Sequence, residues 1–106
     1  SCGSTSRLLL HEAIHDEVVE RVAVRLRALR LGDPLDPASE MGPVNSRRQF
    51  ERVLGFIESA HTEGARLVAG GRRPPGSQFE RGFWIEPTFY ADVTPEMRVA
   101  SEEVFG

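Results

Sequence analysis

Two stretches with helical apolar spacing, separated by a run of turn formers, constrain this chain more than any other feature. Ile14, Val18, Val22, Leu26 and Leu29 recur every three or four residues, with Asp16, Glu17, Glu20, Arg21, Arg25 and Arg27 on the remaining turns. That spacing predicts an amphipathic helix, which must cover its apolar stripe with another element. Phe50, Val53, Leu54 and Ile57 repeat the pattern, and Ser46 followed by Gln49 has the spacing of a capping box. Between the two, residues 32–44 contain Gly32, Pro34, Pro37, Gly42 and Pro43. Gly32 and the prolines stop the first helix, and the remaining turn formers predict an ordered surface loop.

The rest of the chain reads as short strands and one short helix. Arg7 to Leu10 is an apolar run of strand length, Gly64 closes the second helix, and Arg66 to Ala69 predicts a strand. Gly70-Gly71 and Pro74-Pro75-Gly76 make a connection, and Gly82 to Val93 concentrates aromatic and β-branched residues around Pro87. Proline donates no ladder hydrogen bond, so an edge strand or a bulge is expected there. Thr94, Pro95 and Glu96 have the chemistry of a helix start, predicting a final short helix from that point. The order strand, helix, helix, strand, strand, helix, without internal repeats, indicates an α/β unit, with α+β as the alternative.

Composition bounds the function classes. The chain has 106 residues, 40% of them apolar, enough for one core and too few for a multidomain enzyme. A formal charge of -3 argues against nucleic acid or an anionic membrane surface as partner. No apolar run approaches the roughly 20 residues that span a bilayer, and the first residues lack a secretory signal pattern. A soluble, cytoplasmic chain is therefore expected. The single cysteine, Cys2, excludes an internal disulfide and a thiolate metal cluster. Every one of the 13 cations is arginine, which reads as a coding bias without functional weight.

His11-Glu12-Ala13-Ile14-His15 matches H-E-x-x-H, the helical motif in which two imidazoles one turn apart bind zinc beside a general-base glutamate. The extended form of that motif needs a histidine where this chain has Arg21, and no third ligand is evident. A polar helix start is the preferred reading, with no metal expected. Arg47, Arg48 and Arg52, with the arginines of the first helix, form a candidate anion patch, yet acids accompany them and solvated faces with weak ion pairs are the expectation. Gly70-Gly71 lacks the lysine and the spacing of a phosphate-binding loop. Cys2 lies among small residues that leave room for a carbonyl group, which makes it either an incidental thiol or a nucleophile.

Cys2-Gly3-Ser4-Thr5-Ser6-Arg7, Gly32-Asp33-Pro34-Leu35-Asp36, Met41-Gly42-Pro43, Glu63-Gly64-Ala65, Gly70-Gly71, Pro87-Thr88 and Glu102-Glu103-Val104-Phe105-Gly106 together resemble the NAD(P)-dependent aldehyde dehydrogenase superfamily. Their order and spacing match over the whole chain. The resemblance implies that residues 1–106 are the cysteine-bearing part of a catalytic domain that oxidises an aldehyde to a carboxylic acid. It also implies that the dinucleotide-binding domain, the oxyanion-hole asparagine, the general-base glutamate and the oligomerisation strands lie outside this sequence. By resemblance Cys2 is the catalytic nucleophile, Glu103 accepts hydrogen bonds from the nicotinamide-side ribose of NAD or NADP, and Phe105 packs near that ribose and nicotinamide. The parent is expected to be a homo-oligomer, and the isolated chain to have little or no activity. A non-catalytic interaction module that associates through uncovered apolar surface is the alternative, and an H-E-x-x-H zinc peptidase stands last.

Overall fold

Helix α1 (Glu12–Arg27) starts where an imidazole can cap it: His11 is extended, and its Nδ1 accepts the Ala13 N–H at 3.1 Å. A computed structural model describes residues 3–106 of the chain. Glu12 in the first turn and Arg25 and Arg27 in the last suit the helix dipole. The helix ends earlier than Gly32, because Leu29 to Leu31 peel away to meet the returning loop. Glu40 N–H donates to Arg30 O at 2.8 Å, Gly32 N–H donates to Met41 O at 3.1 Å, and Leu31 bridges Met41 in parallel. Within the loop, the Asp33 and Asp36 carboxylates accept the N–H groups two residues on, at 2.9 and 2.8 Å, which gives the turns their order.

Helix α2 (Arg47–Thr62) is capped as its sequence predicts on one side only. Ser46 Oγ accepts the Gln49 N–H at 3.3 Å, but the Gln49 side chain reaches Phe105 O instead of returning to the cap. Strand β1 (Arg66–Ala69) pairs antiparallel with β2 (Phe89–Ala91), with an irregularity between Leu67 and Ala69. The aromatic stretch from 82 thus yields three ladder residues, and the bulge falls on the partner strand. Gly70 and Gly71 have φ of +73° and +78°. A Cβ at Gly70 would lie 2.2 Å from Pro87 O, so the chain passes there only as glycine, and Gly71 N–H donates to Thr88 Oγ1 at 2.9 Å. This explains the Gly-Gly pair as a close crossing of two backbones.

Two expectations are corrected. Residues 7–10 form no strand, since β1 and β2 pair only with each other, and Leu9 is 96% exposed. The last helix, α3 (Arg98–Ser101), begins three residues beyond Pro95. Thr94 to Met97 close a turn first, and Arg98 N–H is capped by Glu63 Oε2 at 2.8 Å, a group from the end of α2.

The packed faces also differ from the periodic stripes. In α1 the buried residues are Val19 and Ala23, one position round from the Val18 and Val22 stripe, and Ile14 stays exposed. Small Ala23 lets α1 approach β1, while Val18, Val22 and Leu26 with Arg21 and Arg25 line an open groove of about 340 Å³. In α2 the largest fully buried side chain is Phe56, between Val53 and Ala60. Phe79, Trp84 and Ile85 are also buried, with Phe79 edge-on to Trp84 at 5.0 Å, and Tyr90 OH ties β2 to α2 by donating to Ile57 O at 3.1 Å. The mixed α/β class stands, with three α-helices, a single 3-10 turn at Ser77–Phe79 and one two-stranded sheet among the described residues.

Asp92 follows β2 with φ +58°, a left-handed conformation that aspartate and asparagine tolerate. Its Oδ2 accepts from Arg66 Nε at 2.6 Å, and its Oδ1 lies 3.9 Å from His15 Nε2, whose Nδ1 is hydrogen-bonded to Asp16. The Arg66 hydrogen bond holds the Asp92 carboxyl below the usual aspartate range. A carboxyl whose folded pKa is depressed stabilises the fold above its unfolded pKa, and loses that contribution as pH falls through the folded value. Urea midpoints of the wild-type chain should therefore fall below about pH 4, and D92N, which keeps the left-handed turn, should show a shallower acid slope. Phe56→Ala should lower the unfolding free energy by about 3–5 kcal/mol in the same titration, because it opens the core under α2.

Candidate active-site segment

The residues that end the chain have little backbone structure of their own. Glu102 N–H closes the last turn of α3 onto Arg98 O at 2.9 Å, and among the described residues no backbone–backbone hydrogen bond reaches 103–106. Helix α2 supplies the missing partners. Arg52 Nη2 donates to Glu103 O at 2.6 Å and its Nε to Val104 O at 3.4 Å, while Gln49 Nε2 donates to Phe105 O. From the other end of the chain, Arg7 donates Nε to Ala100 O and Nη2 to Glu102 O, both at 2.6 Å. Residues 93–95 apart in sequence are thereby fastened together, five positions after Cys2.

Held in this way, the segment presents two side chains outward. Glu103 is exposed, and among the described residues no ion pair engages its carboxylate. Phe105 is 49% exposed and has φ +55°, a conformation that costs a residue with a Cβ about 1–3 kcal/mol and persists only when its surroundings impose it. An acceptor carboxylate and a half-bare ring two residues apart suit a ligand with vicinal hydroxyls next to a flat ring. Cys2 lies outside the described residues. The structure thus holds Glu103 and Phe105 on one short segment and joins Arg7, five positions after the cysteine in sequence, to the residues that lead into it.

Sequence reasoning missed the residues that hold this segment. Arg52 read as part of a solvated face and Gln49 as a capping-box partner; the signal that points to both is their three-residue spacing on one helix face, which lets them reach successive carbonyls. Arg47 of the same patch is also engaged, 5.4 Å from the Phe83 ring centroid. The H-E-x-x-H histidines do not converge. His11 caps α1, His15 bonds Asp16, and no group of three or more His, Cys, Asp or Glu able to hold a metal occurs among the described residues. An open groove of about 600 Å³ runs between the end of α1, β1 and residues 72–87, and takes no lining residue from the 100–106 segment.

The pattern of the aldehyde dehydrogenase family matches residues 1–106. The betaine aldehyde dehydrogenase of Brucella anthropi is 44% identical over 105 residues, 99% of this chain and 22% of that protein. Aldehyde dehydrogenase tropH of Talaromyces stipitatus is 50% identical, with 100% of this chain and 21% of that protein covered. The solved structure of a Mycobacterium tuberculosis aldehyde dehydrogenase complexed with NAD+ superposes on the whole chain with a TM-score of 0.94 at 44% identity, over 22% of its own length. The betaine aldehyde dehydrogenase of Staphylococcus aureus in complex with NAD+ does so with a TM-score of 0.96 at 33% identity, over 21% of its length. The chain spans about a fifth of the length of the curated relatives it matches. With a family pattern running through every residue and the same fold in solved relatives, the chain belongs to the aldehyde dehydrogenase family.

Proposed function

We propose that residues 1–106 form the cysteine-bearing part of the catalytic domain of an NAD(P)-dependent aldehyde dehydrogenase, cytoplasmic and homo-oligomeric, that oxidises an aldehyde to a carboxylic acid. The observation that carries this reading is the 102–106 segment, which exposes Glu103 and Phe105 on a backbone fixed by Arg52 and Gln49. These residues fit the cofactor: the Glu103 carboxylate accepts from ribose hydroxyls and the Phe105 ring covers the neighbouring apolar face. What NAD(P) supplies when bound is an acceptor for hydride.

Cys2 is the nucleophile in this reading. Its thiolate adds to the aldehyde carbon, and its own backbone N–H stabilises the charge that develops on the carbonyl oxygen. The resulting thiohemiacetal loses hydride from that carbon and becomes a thioester. Water cleaves the thioester, releasing the carboxylic acid and restoring the thiol. Its sequence neighbours Gly3 and Ser4 are small, as suits a nucleophile that must admit a carbonyl group.

In the complete gene product that carries this sequence, aldehyde-dependent reduction of NAD or NADP should fall at least about a thousandfold in Cys2→Ala. The 106-residue chain alone should not exceed its own Cys2→Ala control, since positioning groups supply much of the rate. Wild-type activity that survives the substitution would refute the assignment of the nucleophile.

A second reading, an interaction module without catalysis of its own, draws on the apolar side chains left uncovered. Leu9 is 96% and Leu35 90% exposed, and Ile14 and Val24 on α1 are about half exposed. Surface of this kind drives association. Sedimentation velocity of the isolated chain should show concentration-dependent self-association, and a monomer at all concentrations would remove this reading.

A further inference from the structure

Residues 4–10 belong to no helix or strand, and among the described residues none of their backbone groups bonds another backbone group. Packing does little to seat them, because residues 4–9 are all exposed. One side chain ties this stretch to the body of the protein. Arg7 Nε donates to Ala100 O and its Nη2 to Glu102 O, both at 2.6 Å, so neighbouring nitrogens of one planar guanidinium take two carbonyls where α3 ends. A helix end leaves such oxygens without backbone donors, and a fork that takes two of them fixes direction as well as distance. Glu102 is also held from α3, since Arg98 Nε donates to its Oε1 at 3.2 Å. From Arg7 back to Cys2 is five residues, about 17 Å at full extension. Forward from Glu102 the next residue is Glu103.

We infer that Arg7 is a positioning residue for hydride transfer: by gripping the Ala100 and Glu102 carbonyls it keeps the cysteine-bearing stretch in register with the backbone that carries Glu103 and Phe105. The inference rests on the proposed dehydrogenase reading, in which the Cys2 sulfur carries the carbon that loses hydride. Hydride passes only between atoms held close together, and a misplacement of about 1 Å costs about a hundredfold in rate. Arg7 acts through the backbone at α3, whereas the Glu103 carbonyl has its own donor in Arg52, so the cofactor keeps its binding residues when Arg7 is lost. Lysine retains the charge but lacks the planar fork, which separates register from any effect of a positive charge on the thiol.

The test uses the complete gene product with Arg7→Met and Arg7→Lys, and with Arg27→Met, which removes a bond to Val68 O in β1, as a control. The rate of a single turnover at saturating aldehyde and NAD(P), per folded molecule, should fall about tenfold or more in Arg7→Met and stay low in Arg7→Lys, with the Kd for NAD(P) within about twofold of wild type. Deuterium on the aldehyde carbon should slow Arg7→Met more than it slows wild type, because hydride transfer then limits the rate. Arg27→Met should match wild type in each measurement. A purely structural role would lower the thermal midpoint and leave the rate and isotope effect of the folded molecules unchanged, and that result overturns the inference. An Arg7→Lys protein as fast as wild type also overturns it, by making charge the cause, as does a Kd weakened about tenfold with the saturated rate kept. Proteolysis gives a reading independent of activity: chymotrypsin should cut at Leu8–Leu10 faster in Arg7→Met than in wild type, and equal cleavage overturns the inference whatever the kinetics. A wild-type protein with no aldehyde oxidation refutes the dehydrogenase reading and the hydride role with it, whereas an active wild type beside unimpaired Arg7 variants refutes the inference alone.

Discussion

A backbone carbonyl that leaves a helix end must find a donor, and from Ala100 to Phe105 this protein answers that need with side chains from far away in sequence. Arg7 takes the oxygens of Ala100 and Glu102, Arg52 those of Glu103 and Val104, and Gln49 that of Phe105. The rest of the arrangement depends on these contacts. They bring Arg7 beside Ala100 and Glu102, they press the 103–105 segment onto α2, and they hold Phe105 at a positive φ that it would not adopt alone.

The same chemistry recurs elsewhere in the molecule. Arg27 donates to Val68 O at 2.9 Å, Arg30 to Ala38 O at 2.7 Å, and Arg73 to Phe79 O at 2.5 Å. A guanidinium offers several N–H groups in a plane, and it can lie on an aromatic ring while donating from its edge. Arg52 does both, over Phe56 and onto two carbonyls. The exclusive use of arginine, which composition presents as a bias without meaning, therefore has structural content at these positions, where lysine would reach fewer acceptors.

Much of the fold was legible before any coordinates. Strand β1 lies at 66–69 as its apolar run predicts, Ser46 caps α2, and Gly64 follows the end of that helix. Local chemistry decides each of these, so local sequence reveals them. The misses share the opposite property. Residues 7–10 have strand composition but no partner, the α3 start waits for a cap from Glu63, and α1 packs by Val19 and Ala23 because β1 approaches from that side. In the candidate site, family resemblance pointed to Glu103 and Phe105, whereas Arg52 and Gln49 show in the sequence only as a pair three apart on one helix face, because their partners are backbone atoms about fifty residues away and backbone atoms leave no mark in a sequence.

What the sequence by itself determined is helices α1 and α2, strand β1 and the family: periodic apolar spacing, the Ser46 cap, and seven separated motifs in one order. Those are properties of neighbouring residues or of residue identity. Only the tertiary structure decided which faces are buried, where α3 begins, and that α2 holds the Glu103–Phe105 segment by its carbonyls. The physical reason is that hydrogen bonds to backbone oxygens and contacts with a buried ring are set by distance in space, and any sequence separation can satisfy them once Phe56 and its neighbours have packed.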